Sequence, residues 1–442
     1  MANSKIFCNV PWFHLEIKQD GSFGLCCIQQ EKNPDDHLID PDIHNIKNMS
    51  IQEWYHSQVM KNYRMRILGD QPLIECRGCY KDEEYGNDSY RILQNWRSVL
   101  FTRDAFDDSF QQSPHYKIFQ KSQSQGEYDG LPVDLHIGMG NECNLACKFC
   151  NPDTSTKVAS KYKIWNLIDK PGSIRVNWMD DEQVWQRFCN ELLSFKNLRS
   201  VHFLGGEPTL SPRLEQFLDF FINHNKTDFA ISFVTNGTKY CPDLIEKMKK
   251  FTRADIDISI ESIKDNNYYL RQGLNKQLFT ENVKKFLQDQ DDKFHVCLKP
   301  VISALTVSTF PELIEYFFDN KIFSESNICY SPAYLQVAVI PLEIRKTYLE
   351  KYQRVLNKIS SMENFSNTNL VQSRFKDTLA NSLHNELMTA YNMIQQPEPE
   401  NAESLQREMV WWLSKWDKEF GLNAKDHYPE WSEFLDKNGY YV

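Results

Sequence analysis

Gly138-Met139-Gly140-Asn141-Glu142-Cys143-Asn144-Leu145-Ala146-Cys147-Lys148-Phe149-Cys150 sets three cysteines at the spacing C-x3-C-x2-C, directly after the β-rich run Val133–Gly138. Three thiolates on a loop just past a strand can hold three irons of a [4Fe–4S] cube, leaving the fourth iron without a protein ligand. Zinc is the competing reading, but it wants a fourth Cys or His nearby, and His136 is poorly placed on the strand itself.

Outward from that loop, short β-rich runs alternate with helical patterns. Strands are expected at Val133–Gly138, Ser200–Leu204, Ile231–Thr235, Asp255–Ile260, Phe294–Val301 and Asn327–Ser331. Between them, Ser211-Pro212 caps a helix with apolar positions Leu214, Phe217, Leu218 and Phe221, and further helices fit Pro242–Phe251, Lys276–Gln288, Phe310–Asp319 and Leu342–Met362. Six such repeats predict an α/β fold, a partial (β/α)6 TIM-like barrel with right-handed crossovers. Functional residues should then gather at the C-terminal ends of the strands. In the fourth strand Asp257, Ser259 and Glu261 alternate with isoleucines, so the polar row should face the lumen. His295, Cys297 and Lys299 make a similar row on the fifth.

The second strand runs into Phe203-Leu204-Gly205-Gly206-Glu207-Pro208. Paired glycines let the backbone approach a ligand closely, and Glu207 offers a carboxylate to an ammonium group. Taken alone, this could be a mere strand-to-helix turn. Beside the cysteine loop at one barrel mouth, it describes a ligand site.

Residues 1–90 read as a small cysteine- and aromatic-rich module, residues 91–130 as a connector, 131–345 as the barrel and 346–442 as a helical C-terminal extension without a chemical motif. Residues 51–65 of the module fit one short amphipathic helix. Cys8, Cys26, Cys76 and Cys79 could fully ligate one [4Fe–4S] cluster, with Cys27 spare or alternate; a zinc knuckle of the same four thiolates is the competing reading.

The Cys143–Cys150 loop with the Gly205–Pro208 turn resembles the radical S-adenosylmethionine (SAM) superfamily over roughly residues 131–340. The resemblance implies that Cys143, Cys147 and Cys150 ligate a SAM-binding [4Fe–4S] cluster. It also implies that Gly205, Gly206, Glu207 and Pro208 form the turn receiving SAM's methionyl amine, and that Phe149 lies near the adenine. Thr235-Asn236-Gly237 resembles the turn common in the peptide-modifying branch. Ser259 and Arg271 look like contacts to SAM's ribose or carboxylate. The N-terminal pattern resembles the twitch module, a shortened SPASM relative with one auxiliary [4Fe–4S] cluster, here placed before the barrel instead of after it. A fully ligated auxiliary cluster implies electron transfer and not direct substrate binding. The implied enzyme, an oxidoreductase or modifying enzyme, abstracts hydrogen from a peptide or protein side chain, using a flavodoxin or ferredoxin as reductant. A small-molecule substrate (a sugar, amino acid or nucleoside) is the alternative, and a non-catalytic zinc or iron–sulfur protein a third.

The balance of 50 basic against 60 acidic residues argues against phosphate-backbone binding as the main task. The start shows no basic-then-apolar export signal, and no run reaches the roughly 18 apolar residues of a membrane helix. A cytoplasmic protein with reduced thiols is the expectation.

Overall fold

The computed structural model describes residues 6–29, 39–84, 89–92, 94–95, 122, 126–168, 174–361 and 379–442. Most of the proposed connector, and the C-terminal end of the helix expected over Leu342–Met362, lie outside the described residues.

The sheet contains seven strands. Two come from the N-terminal segment, β1 (His14–Ile17) and β2 (Phe23–Gly24). Next come β3 (Asp134–Gly138) and, as a short addition in the cysteine loop, β4 (Ala146–Cys147). Then follow β5 (Ser200–Leu204), β6 (Ala230–Thr235) and β7 (Arg253–Ser259). Short β8 (Arg271–Gln272) precedes β9 (Phe294–Lys299), β10 (Val301–Ile302) and β11 (Asn327–Ile328). The sheet order is β2-β1-β3-β5-β6-β7-β9, with every pairing from β1 to β9 parallel. The sixth barrel strand, β11, pairs in parallel with β10 just beyond Pro300. It is shorter than the Asn327–Ser331 run expected.

Period-two alternation explains why this sheet is stable. Leu135, Val201, Ile231 and Ala254 pair across neighbouring strands, as do Ile137, Phe203, Phe233 and Ile256, and all eight are buried. These rows bury apolar area against the surrounding helices, at about 25 cal/mol per Å². The helix Pro212–Asn223 presents Leu214, Phe217, Leu218 and Phe221 to them, capped by Ser211 Oγ accepting from the Arg213 amide.

Two local expectations change. Residues 51–65 divide into two helices, Ile51–Tyr55 and Gln58–Leu68, because Ser57 caps the second one. The Leu342 helix likewise divides into Leu342–Lys346 and Leu349–Ser360. The N-terminal segment also contributes β1 to the main sheet, beside β3. The alternation His14, Leu15, Glu16, Ile17 carries that strand.

Candidate functional site

The C-terminal ends of β3, β5, β6 and β7 converge on the cysteine loop. Cys147, on β4, pairs antiparallel with Arg271 on β8. This pairing places the buried guanidinium among all three thiols: Cys147, Cys150 and Cys143, together with Glu261, hold the Arg271 charge in place against the cost of its burial. Arg271 Nη1 reaches Glu261 Oε1 at 3.1 Å, while Nε is buried with no hydrogen-bond partner among the described residues. Burial pushes the Cys143 thiol up to about 11. Buried thiols of this kind ionise only when a cation compensates them, and an orphaned donor beside them marks room for an anionic or sulfur partner. Three cysteines beside a cationic arginine therefore fit an iron–sulfur cluster with one open iron.

The Gly205–Pro208 turn closes the adjoining wall. Gly205 and Gly206 adopt φ of +82° and +50°. A Cβ on Gly205 would meet Gln19 Nε2 at 2.5 Å, and one on Gly206 would meet the Glu142 carbonyl oxygen at 2.4 Å. Only glycine fits either place. Gln19, from just beyond β1, is therefore packed against the turn; it had no motif to announce it.

Glu207 is 3 % exposed. Its Oε1 accepts from the Thr209 amide at 3.2 Å, Thr209 Oγ1 at 2.7 Å and Thr235 Oγ1 at 2.7 Å, and its Oε2 accepts from the Asn236 amide at 2.7 Å. Four protein donors match the roughly four lone-pair sites of a carboxylate. Glu207 thus ties the β5 turn to the β6 turn. Burial raises its carboxyl pKa, and the hydrogen bonds from Asn236, Thr209 and Thr235 oppose that rise. Asn236 Nδ2 in turn donates to Asn144 Oδ1 at 2.8 Å and lies 3.8 Å from Cys143 Sγ. Pro208 is buried in the short turn after Glu207, Phe149 is half-buried against the core, and Ser259 closes β7 opposite Lys299.

Lys148, between two of the cysteines, was not singled out by its motif. It is buried, pairs with Asp417 Oδ1 at 2.7 Å, and lies 4.1 Å from the Tyr269 ring centroid. Burial pulls its ammonium down to about 8, against the pull of Asp417. The C-terminal helix Ala402–Phe420, which carries Asp417, therefore locks the cysteine loop.

In the N-terminal segment, Cys26 feels the charges of Cys27, Cys79, Cys76 and Cys8, and Cys8 those of Cys76 and Cys79. The four thiols Cys8, Cys26, Cys76 and Cys79 thus come together. Burial pushes Cys76 up to about 12 and Cys79 up to about 11, and drives Cys8 and Cys26 well above the ordinary thiol range. Arg91, whose Nη1 donates to the Phe7 carbonyl at 2.6 Å, offsets charge at Cys8, Cys76 and Cys79. Each thiol cluster thus has its own buried arginine. Cys27, which also acts on Cys26, feels Glu16 and Asp134 as well and is hydrogen-bonded to Tyr90.

The polar strand rows pair one to one: Asp255 with His295, Asp257 with Cys297 and Ser259 with Lys299. The Asp255 row continues through Ser232, His202 and His136 to Glu16.

Comparison with known proteins gives two matching family models. Residues 137–302 match the Radical SAM superfamily, and residues 8–80 match the SPASM iron–sulfur cluster-binding domain. Among curated relatives, the radical SAM cyclopropyl synthase TigE of Paramaledivibacter caminithermalis is 25% identical over 44% of this chain and 40% of its own length. The GTP 3',8-cyclase of Syntrophomonas wolfei is 24% identical over 29% of this chain and 34% of its own. The chain thus spans less than half the length of these curated relatives. Among solved structures, Streptococcus suis SuiB bound to precursor peptide SuiA superposes with a TM-score of 0.38 at 17% identity, covering 69% of this chain and 64% of that one. The SPASM match implies an auxiliary iron–sulfur cluster, and the radical SAM match implies SAM and a [4Fe–4S] cluster. With the cysteine loop and the glycine turn both inside the first match, residues 137–302 form a radical SAM domain, preceded by an iron–sulfur cluster-binding domain over residues 8–80.

Proposed function

We propose that this chain is an enzyme that abstracts hydrogen from a peptide or protein side chain, with Cys143, Cys147 and Cys150 holding the SAM-binding cluster. The observation that carries this reading is the convergence of those thiols, Arg271 and the Glu207-bridged turns at one end of the sheet. Bound there, SAM and its cluster supply a 5'-deoxyadenosyl radical and methionine after one electron arrives from a flavodoxin- or ferredoxin-type reductant. The protein's own work is placement. Arg271 balances thiolate charge, and the carbonyls of the Gly205–Gly206 turn receive the methionyl ammonium once Glu207 has fixed their position. Phe149, Pro208, Thr235, Asn236 and Ser259 border the same space. Cys8, Cys26, Cys76 and Cys79 would hold the auxiliary cluster as an electron relay. The polar rows of β7 and β9, buried at Asp255, Asp257 and Cys297 and half-buried at Ser259, His295 and Lys299, would offer hydrogen-bonding groups to a compact polar substrate, which favours the small-molecule reading as the second.

Anaerobic reconstitution of the wild type and of a Cys143/Cys147/Cys150→Ala variant tests this. About eight irons falling to about four, with dithionite-dependent 5'-deoxyadenosine lost, is the expected result. A reconstituted wild type that forms no deoxyadenosine overturns the enzymatic reading. Iron falling from about four to none overturns the second cluster.

A further inference from the structure

Where β1 joins β3, three metal-capable side chains that belong to neither thiol cluster meet on one face of the sheet. His14, Asp134 and His136 each place a ligand atom within 4.8 Å of those of the other two. His14 Nδ1 lies 2.7 Å from Asp134 Oδ2, and the rings of His14 and His136 meet edge to face at 4.5 Å. The register produces this: His14 pairs with Asp134 across the two strands, and His136 follows Asp134 by two residues, on the same side of the pleat. His14 is 1% exposed, and its Nε2 is buried with no hydrogen-bond partner among the described residues. A buried imidazole with one unsatisfied nitrogen costs free energy unless something binds it.

We propose that His14, Asp134 and His136 hold a divalent transition-metal ion, separate from both iron–sulfur clusters. Two imidazole nitrogens and one carboxylate oxygen form the borderline donor set that suits Fe²⁺, Co²⁺ or Zn²⁺ and leaves coordination positions open. Ser200 Oγ donates to the other Asp134 oxygen, fixing the carboxylate as an outer-shell partner does. Glu16, buried and paired opposite His136, adds a second carboxylate to the same face. The site lies between the N-terminal segment, through Cys27 and Tyr90, and the strand that runs into the SAM-cluster loop. The proposal stands on these three residues whether or not the chain cleaves SAM.

The test is a Co²⁺ titration of the reconstituted, chelator-washed protein, followed through visible ligand-field absorption. One saturable equivalent is expected in the wild type. His136→Gln and Asp134→Asn should each weaken it by at least tenfold while iron content stays at about eight and the circular dichroism is unchanged. Absence of saturable Co²⁺ binding in the wild type overturns the proposal without recourse to any variant. So does equal Co²⁺ affinity in a folded, fully iron-loaded His136→Gln protein; the group would then be a hydrogen-bonded His–Asp pair alone.

Discussion

Glu207 shows how a residue chosen for one role can be placed in another. The GGEP motif suggests a carboxylate facing an ammonium, yet Thr209, Thr235 and Asn236 occupy its acceptor sites. Glu207→Gln turns one of the two carboxylate oxygens into a donor, set against the Asn236 amide or against the Thr209 and Thr235 donors. It should weaken SAM binding at least tenfold, measured by equilibrium binding to the reconstituted protein, with the cluster iron retained. Arg271→Lys removes the forked guanidinium that serves Glu261 and the thiols together. Its expected outcome is faster loss of iron from the SAM cluster on exposure to chelator, with the auxiliary iron unchanged.

At the scale of elements, the helix Ala402–Phe420 is the surprise. Its Asp417 is fully buried and accepts from Lys148 Nζ, from Tyr269 OH at 3.0 Å and from Tyr440 OH at 2.7 Å. Asp417→Ala leaves the Lys148 ammonium buried and unpaired, so it should cost about 3–5 kcal/mol in chemical denaturation. A Lys148→Met/Asp417→Leu pair should recover most of that loss, because breaking a buried pair costs more than replacing it. If the single variant proves as stable as the wild type, the helix does not clamp the loop. β1 makes the parallel point at the other sheet edge. It brings Gln19 to Gly205 at the working end of the sheet and, at the opposite end of the same strand pair, His14 to Asp134.

For the whole molecule, the C-terminal extension also docks beside the sixth barrel strand, where Glu386 accepts from Ser324 Oγ at 3.0 Å and the Ser326 amide at 3.0 Å. Burial raises the Glu386 carboxyl to about 7, outweighing the serine hydrogen bonds. The folded state therefore binds more protons than the unfolded state between roughly pH 4.5 and 7, and stability drains away as pH rises through that window. Glu386→Gln should be nearly neutral at pH 5 and stabilising by about 1–2 kcal/mol at pH 8, read as a pH-dependent rise in Tm. A gain that is equal at both pH values would show that ionisation is not the cause. No helix among the described residues is long and apolar enough to cross a membrane. What the sequence by itself determined was whatever local order encodes: the β-α alternation, the cysteine spacings, the glycine turn and the polar rows of β7 and β9. Each depends on a period or a spacing within a few residues, and so can be read along the chain. The tertiary structure alone decided the rest: Asp417 under Lys148, Gln19 against Gly205, Arg91 among the N-terminal thiols, and His14 against Asp134. Those partners stand tens to hundreds of residues apart in the chain, and they are selected by burial and charge compensation once the sheet has formed, which no local pattern records.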